Sequence, residues 1–369
     1  DLKKQSYQIS DGLDDPVTII DRSTYKMEGV ETIVIHNGHY QKALSSHHDG
    51  IRVLTGPKYI NERSGQIKTT ADDPFDLLNT AFMDSCLSLM IDRNINLTTP
   101  VRILVISSGI DPIMVSPRVY VDMNESSSAT LIEHYLGDAT STFQNSSLFF
   151  SIAENSHLDH IRIQSNPISA HHVANLDVSL YRNGQYNFFQ LSQGSELGRS
   201  NIRVNLKEEG SQCTLNGLSL SVGNQHLDNN ILIDHFAPNC TSSQNFKSIL
   251  KENSSGVFNG KVTVRKDAQK TDAEQTNKNL LLSKKAVMNS NPQMEIYADD
   301  VRCAHGSSTG ELDKDALFYL CSRGLDAITA RSLMIRGFAT ELLDSIKHEG
   351  IKNYLTKALD TWIMEKNKK

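Results

Sequence analysis

The feature that most constrains this chain is a recurrence. From about residue 128 to residue 303 it is built of short β-forming segments divided by turn residues. Ala129–Glu133, Ser147–Ile152, Asn201–Leu206 and Lys261–Val264 are examples of the first. Arg182–Gln185, Glu209–Ser211 and Asn259-Gly260 are examples of the second. Apolar strand starts fall at Leu148, Leu176, Ile202, Ile231 and Val257, with gaps of 28, 26, 29 and 26 residues. No helical period of ten residues interrupts them, and only Pro167, Pro238 and Pro292 could break a ladder. A repeat of this length with two or more strands per period is the pattern of stacked coils. A β-sandwich also offers many short strands, but about 175 residues of strand without a helix is long for one. The reading is therefore mainly β, with a parallel β-helix as the core. One coil cannot bury its inner face alone, so stacking supplies the core and each end needs a cap or a partner.

The flanks differ in character. Residues 1–115 are mixed, with strands expected at Thr32–Ile35 and Val101–Ser107 and a helix at Phe75–Leu87. The core is assigned to 116–310. Residues 311–369 read as a helical domain: one helix from Asp315 that stops near Arg323-Gly324, where glycine takes a left-handed cap. A second is capped by Asp326 and carries Ile328, Leu333, Met334, Phe338 and Leu342. A third carries Ile351, Leu355, Leu359 and Trp362 at steps of four, four and three.

Composition narrows the function. With 38% hydrophobic and 22% charged residues and a formal charge of −6, the chain is that of a folded protein without the basic excess of a nucleic-acid binder. No apolar run approaches the roughly 18 residues of a membrane span. The chain opens Asp1-Leu2-Lys3-Lys4 with no signal-peptide apolar region, so its start is read as a fragment or processing boundary and a secreted protein is not expected. The five cysteines, Cys86, Cys213, Cys240, Cys303 and Cys321, are scattered, odd in number and without a Cys-x-x-Cys, which favours a reducing compartment over disulfides. The Asn-x-Ser/Thr triplets at Asn96, Asn124, Asn145, Asn239 and Asn253 are read as chance.

Most motif readings come out structural. Gly256-Val-Phe-Asn-Gly260-Lys261 is one residue short of a phosphate loop and lacks its hydroxyl residue, so no nucleotide site is expected and Asn259-Gly260 is read as a hairpin turn. No nucleophile elbow or zinc helix is present. Cys86 and Cys321 read as small buried hydrophobes. Asp299 and Asp300 point to opposite faces in an extended strand and read as a solvated turn. His157, His160, His171 and His172 read as surface or satisfied histidines, and His47-His48-Asp49 as a loop. Cys303-Ala304-His305 differs. Two apart on a strand, thiol and imidazole share a face, and that donor pair suits iron, zinc or an iron–sulfur cluster. Two ligands do not close a tetrahedral site, so a partner must supply the rest.

The surrounding blocks are distinctive: Asp267–Ser283, Pro292–Gly306, Leu317–Gly324, Arg336–Ala339 and, upstream, His235–Lys247. They closely resemble the SufB/SufD family of iron–sulfur cluster assembly proteins, strongly over about residues 235–343. A weaker likeness reaches Asp73–Asn79 and His36–Gly38. Within the family the chain is most like SufD. It has Cys303-Ala-His305-Gly306 where the SufB pattern places His followed by Glu, and Lys284–Gln293 contains no counterpart of the SufB scaffold cysteine.

The resemblance implies a right-handed parallel β-helix with helical regions at both ends, the N-terminal one short here. It implies a heterodimer with SufB through the β-helices near Cys303 and His305, and docking of the SufC ATPase on the C-terminal helices. SufC dimerisation on ATP would then twist the pair and expose the interface. His305 and Cys303 are the expected metal or cluster contacts, His305 as the ligand and Cys303 as a structural or secondary contributor. The iron–sulfur cluster or iron is expected to be transient and shared with SufB. A non-enzymatic subunit in a bacterial cytoplasm or plastid stroma follows. The alternatives are a SufB-like homo-oligomeric scaffold and a β-helix carbohydrate-active enzyme, which would need a groove of carboxylates that the sequence does not display.

Overall fold

From Arg118 onward consecutive strands alternate between two sheets, and within each sheet those strands run parallel. This is a parallel β-helix of about eight turns. The structure, a computed structural model, describes residues 7–9, 27–46, 49–55, 73–83, 86–109, 112–137 and 141–364. One sheet runs from Val287–Ile296 down to Leu87–Ile91, and the other from Arg302–Gly310 down to Glu31–His36. At the low-numbered end each sheet is closed by an antiparallel strand, Ile51–Thr55 on one and His39–Tyr40 on the other. At the high-numbered end, no described strand follows.

The sequence repeat is this stacking. Leu148, Leu176, Ile202 and Ile231 lie in one register column, buried in the interior. The fifth position departs from expectation: Ile231 pairs with Gly260, while Val257 pairs with Asp228. Nor is Asn259-Gly260 a hairpin turn, since both lie inside the strand Ser255–Val264. A Cβ on Gly260 would sit 2.2 Å from Gln275 Nε2 and 2.8 Å from Phe258 Cζ. Close packing, not chain reversal, requires this glycine.

The true corners use the same residue types. Asn155, Asn183, Gly210, Asn239 and Lys270 adopt positive φ between 53° and 75°. Asparagine and glycine tolerate that conformation. Corner amides bond onward to the next coil, Asn155 to the Arg182 carbonyl at 2.9 Å and Asn183 to that of Glu209 at 3.0 Å.

The Phe75–Leu87 helix is shorter than expected. Helix α1 spans Pro74–Phe82, capped by Asp73, and Leu87 opens a strand. Leu87–Ile91 is buried on both faces of its sheet, and that burial overrides helical continuation. Helix α1 is held to the rod by Arg118, whose Nη1 reaches Asp76 at 3.2 Å and Asn79 Oδ1 at 2.8 Å. The Asp73–Asn79 motif is thus a docking device.

Three helices follow the last coil: α2 (Lys314–Ser322), α3 (Ala327–Leu343) and α4 (Glu349–Met364). Gly324 takes φ +97°, and Asp326 caps α3 through Ile328 and Thr329 amides, as the sequence predicts. The α4 stripe Ile351, Leu355, Leu359 and Trp362 is buried as expected. The α3 face is not. Its buried residues are Ala330, Ile335, Ala339, Leu342 and Leu343, while Ile328 and Leu333 are exposed. Apolar residues on more than one side of α3 leave periodicity unable to choose, and the small Ala330 and Ala339 permit close approach.

Candidate functional site at the open end of the rod

Stacking that buries every earlier coil leaves the last one bare. In Arg302–Gly310 only Cys303 is half-buried, and the other residues are exposed. Inward alternation decides which side chains meet the rod interior. Cys303 registers with buried Ala273 and packs against the core. His305, two residues on, registers with Gln275 and is exposed at the rim. The two expected contact residues therefore share a strand face, one turned into the core's end and one open to it.

The thiol is not activated. Burial pushes the Cys303 thiol up, Asp272 adds to that, and a bond from the Ala273 backbone offsets it in part. A nucleophilic or metal-binding thiolate would need a nearby cation or metal. Among the described residues no group of three or more His, Cys, Asp or Glu is placed to hold a metal ion. One soft sulfur and one imidazole fit part of an iron or cluster coordination sphere and leave its other positions to another molecule.

Side chains brace this end. Ser290 and Ser307 hydroxyls meet at 2.8 Å between the two sheets, and Ser290 Oγ donates to Asn277 Oδ1 at 2.8 Å. On the outer face Asn291 Nδ2 donates to Asn259 Oδ1 at 3.3 Å and Asn259 Nδ2 to Asn230 Oδ1 at 3.2 Å, an amide ladder that holds register up to the edge. Pro292 lies in this terminal strand opposite Gly260, where a missing N–H is tolerated.

The other histidines and cysteines are placed elsewhere. His160 and His172 lie inside the rod rather than on its surface. His160 Nε2 is 3.0 Å from Glu133, and Arg162 Nε donates to the same carboxylate at 2.9 Å. Burial pushes the Glu133 carboxyl up, but Arg162 and His160 outweigh it and hold it down at about 2. His157 pairs with Asp159 at 2.9 Å, and His171 is buried. Cys86 is buried as its reading expects and Cys321 only half-buried, while Cys213 and Cys240 are buried as well. Asp299 and Asp300 sit in an exposed bend, with Asp300 paired to Lys270. His47 and His48 lie outside the described residues.

A second exposed surface lies on the helices. Helix α2 buries no residue, and Phe318 (75% exposed), Tyr319, Ile328 and Leu333 (51%) face solvent. Large apolar groups exposed together mark an interaction surface.

Sequence reading missed Gln275 and Lys247. Both fall in the distinctive blocks but are polar residues in strands, so nothing in the pattern marks them as buried. Gln275 is fully buried below His305, and Lys247 is buried against α3, donating to the Phe338 carbonyl.

A family model described as SUF system FeS cluster assembly, SufBD core domain, matches residues 105–338. An iron-sulfur cluster assembly SufBD family protein of Synechocystis is 31% identical over 347 residues, covering 89% of this chain and 76% of that protein. The iron-sulfur cluster assembly protein SufD of Escherichia coli is 33% identical over 327 residues, 87% of this chain and 76% of its own length. Protein ABCI7, chloroplastic, of Arabidopsis thaliana is 32% identical over 243 residues, 64% of this chain and 51% of its own.

Proposed function

The chain belongs to the SufBD core family of the SUF iron–sulfur cluster assembly system and resembles its SufD members, and from that premise we propose that it is a non-enzymatic scaffold subunit which pairs through its open end with SufB. In this reading His305 supplies a neutral imidazole nitrogen to iron or to a nascent cluster, SufB supplies the thiolate, and Cys303 packs at the contact. The cluster is cargo, held transiently and shared. The SufC ATPase docks on the C-terminal helices, and its nucleotide-driven motion alters the SufB contact. The three parts would be residues 1–115, 116–310 and 311–369, working in a bacterial cytoplasm or plastid stroma. No helix among the described residues is long and apolar enough to cross a membrane.

The observation that carries this reading is the bare terminal rung, with His305 exposed on it. Unpaired strand edges are a liability unless another sheet edge covers them. A second rod of similar cross-section covers both edges and the interior end together by strand addition. Ligation divided between two subunits makes cluster occupancy depend on their geometry.

The test is His305→Ala in the complex reconstituted from this chain, SufB and SufC, with anaerobic iron and sulfide analysis. Loss of cluster with the complex intact is expected. An unchanged yield removes His305 from the site. Size-exclusion with and without SufB separates the heterodimer from a homo-oligomer.

A further inference from the structure

Gln275 is wholly buried on the strand Asp272–Leu281, and its register partner on the terminal strand is His305. One rung further in, its partner is Gln244, and Gln275 Nε2 donates to Gln244 Oε1 at 3.1 Å. Room for that amide comes from Gly260, where any Cβ would stand 2.2 Å from Gln275 Nε2. With its N–H group engaged inward, Gln275 Oε1 is left buried and without a hydrogen-bond donor. Buried acceptors are almost always satisfied, and one that is not calls for a specific account. Adjacent strands lie only about 4.8 Å apart, so in-register side chains on successive rungs are neighbours, and His305 is the residue in register with Gln275 on the next rung.

We propose that Gln275 is the positioning residue for His305: its Oε1 accepts an imidazole N–H and so fixes the tautomer and the plane of the ring. The other ring nitrogen then presents its lone pair toward the open end. Metal-binding histidines are commonly oriented in this way through the nitrogen that does not bind. A carboxamide does so without adding charge, which keeps the ligand set of this subunit neutral and leaves the negative sulfur to the partner. The assignment rests on His305 being the iron ligand proposed above.

The experiment is the tautomer of His305 in the full chain labelled with 15N-histidine, read from long-range 1H–15N spectra at a pH where imidazoles are neutral, alone and with SufB. Wild type and Gln275→Glu, which both keep an acceptor, should show one dominant tautomer. Gln275→Met, which has none, should shift the tautomer ratio by about 10-fold, the worth of one ordinary hydrogen bond. Gly260→Ala displaces the amide instead of replacing it and should act in the same direction, which guards against a folding defect in either variant. A His305 tautomer indifferent to both Gln275→Met and Gly260→Ala overturns the assignment, whatever His305→Ala does to cluster yield. A tautomer tied to Gln275, with cluster yield indifferent to His305→Ala, supports the contact and defeats the ligand role instead.

Discussion

The ammonium of Lys247, 2% exposed on the flank of the rod, donates to the main-chain carbonyl of Phe338 in α3 at 2.8 Å. The same group lies 5.0 Å from the Phe338 ring centre and pairs with Glu341. Just past the end of the same strand, Lys251 Nζ sits 3.7 Å from the Trp362 ring centre and reaches the Trp362 carbonyl at 3.2 Å. Two lysines of one coil thus pin two helices to the β-helix.

Lys247→Met should loosen α3 at a cost of about 1–3 kcal/mol, because a charge-assisted bond in a buried site is lost. Glu341→Ala should cost under about 1 kcal/mol, since that carboxylate is largely in solvent. Urea unfolding and hydrogen exchange on α3 amides would check the order. Equal costs for the two would show that the ion pair, not the carbonyl bond, holds the helix.

Arg118 and Asp76 form a buried pair under α1, with the guanidinium also over the Phe149 ring at 4.7 Å. Arg118→Met leaves a carboxylate stranded and should cost about 3–5 kcal/mol. Adding Asp76→Leu should recover part of that, because the stranded charge is gone. Chemical denaturation of the single and double variants measures both, and a double variant weaker than the single one would contradict this account.

Acid should weaken the fold well above the carboxylate range. Burial pushes His134 and His172 down to about 3 and His235 down to about 4, so all three are neutral when folded. Unfolded, they take up protons below about pH 6.5. Their contribution is therefore complete above that value and is lost as the pH falls toward their folded values. Between pH 7.5 and 5.5 the three together should remove on the order of 4 kcal/mol. His157, raised by its bond to Asp159, works in the opposite sense. Glu133 adds a further loss only below about pH 4.5. Thermal melts against pH provide the measurement, and a flat profile from 7.5 to 5.5 would count against buried neutral histidines.

Phe318→Asp and Leu333→Asp alter exposed positions and should change stability by no more than about 0.5 kcal/mol. If α2 and α3 carry the SufC contact, each should reduce SufC co-purification while SufB pairing persists. Full retention of SufC in the double variant would place the contact elsewhere.

The coils were legible because a parallel stack writes itself into sequence: each inward column repeats at one coil length, and corners favour Asn or Gly. Leu148, Leu176, Ile202 and Ile231 carry that signal. It fails at Gly260, where the column is kept by a neighbour's ring and amide rather than by its own side chain. It fails again on α3, whose apolar residues face two ways, one toward α4 and one toward solvent.

By itself the sequence determined the rod, most of its corners, the helix caps at Gly324 and Asp326, and the family, since each depends on residues close in the chain or on long matching blocks. Tertiary structure alone decided what lies beneath and beside those residues. Gln275 under His305, Lys247 against Phe338 and Glu133 between His160 and Arg162 are contacts between rungs or elements. Burial and partner there are set by stacking in three dimensions, and a polar residue in a strand gives no local sign of which neighbour it will meet.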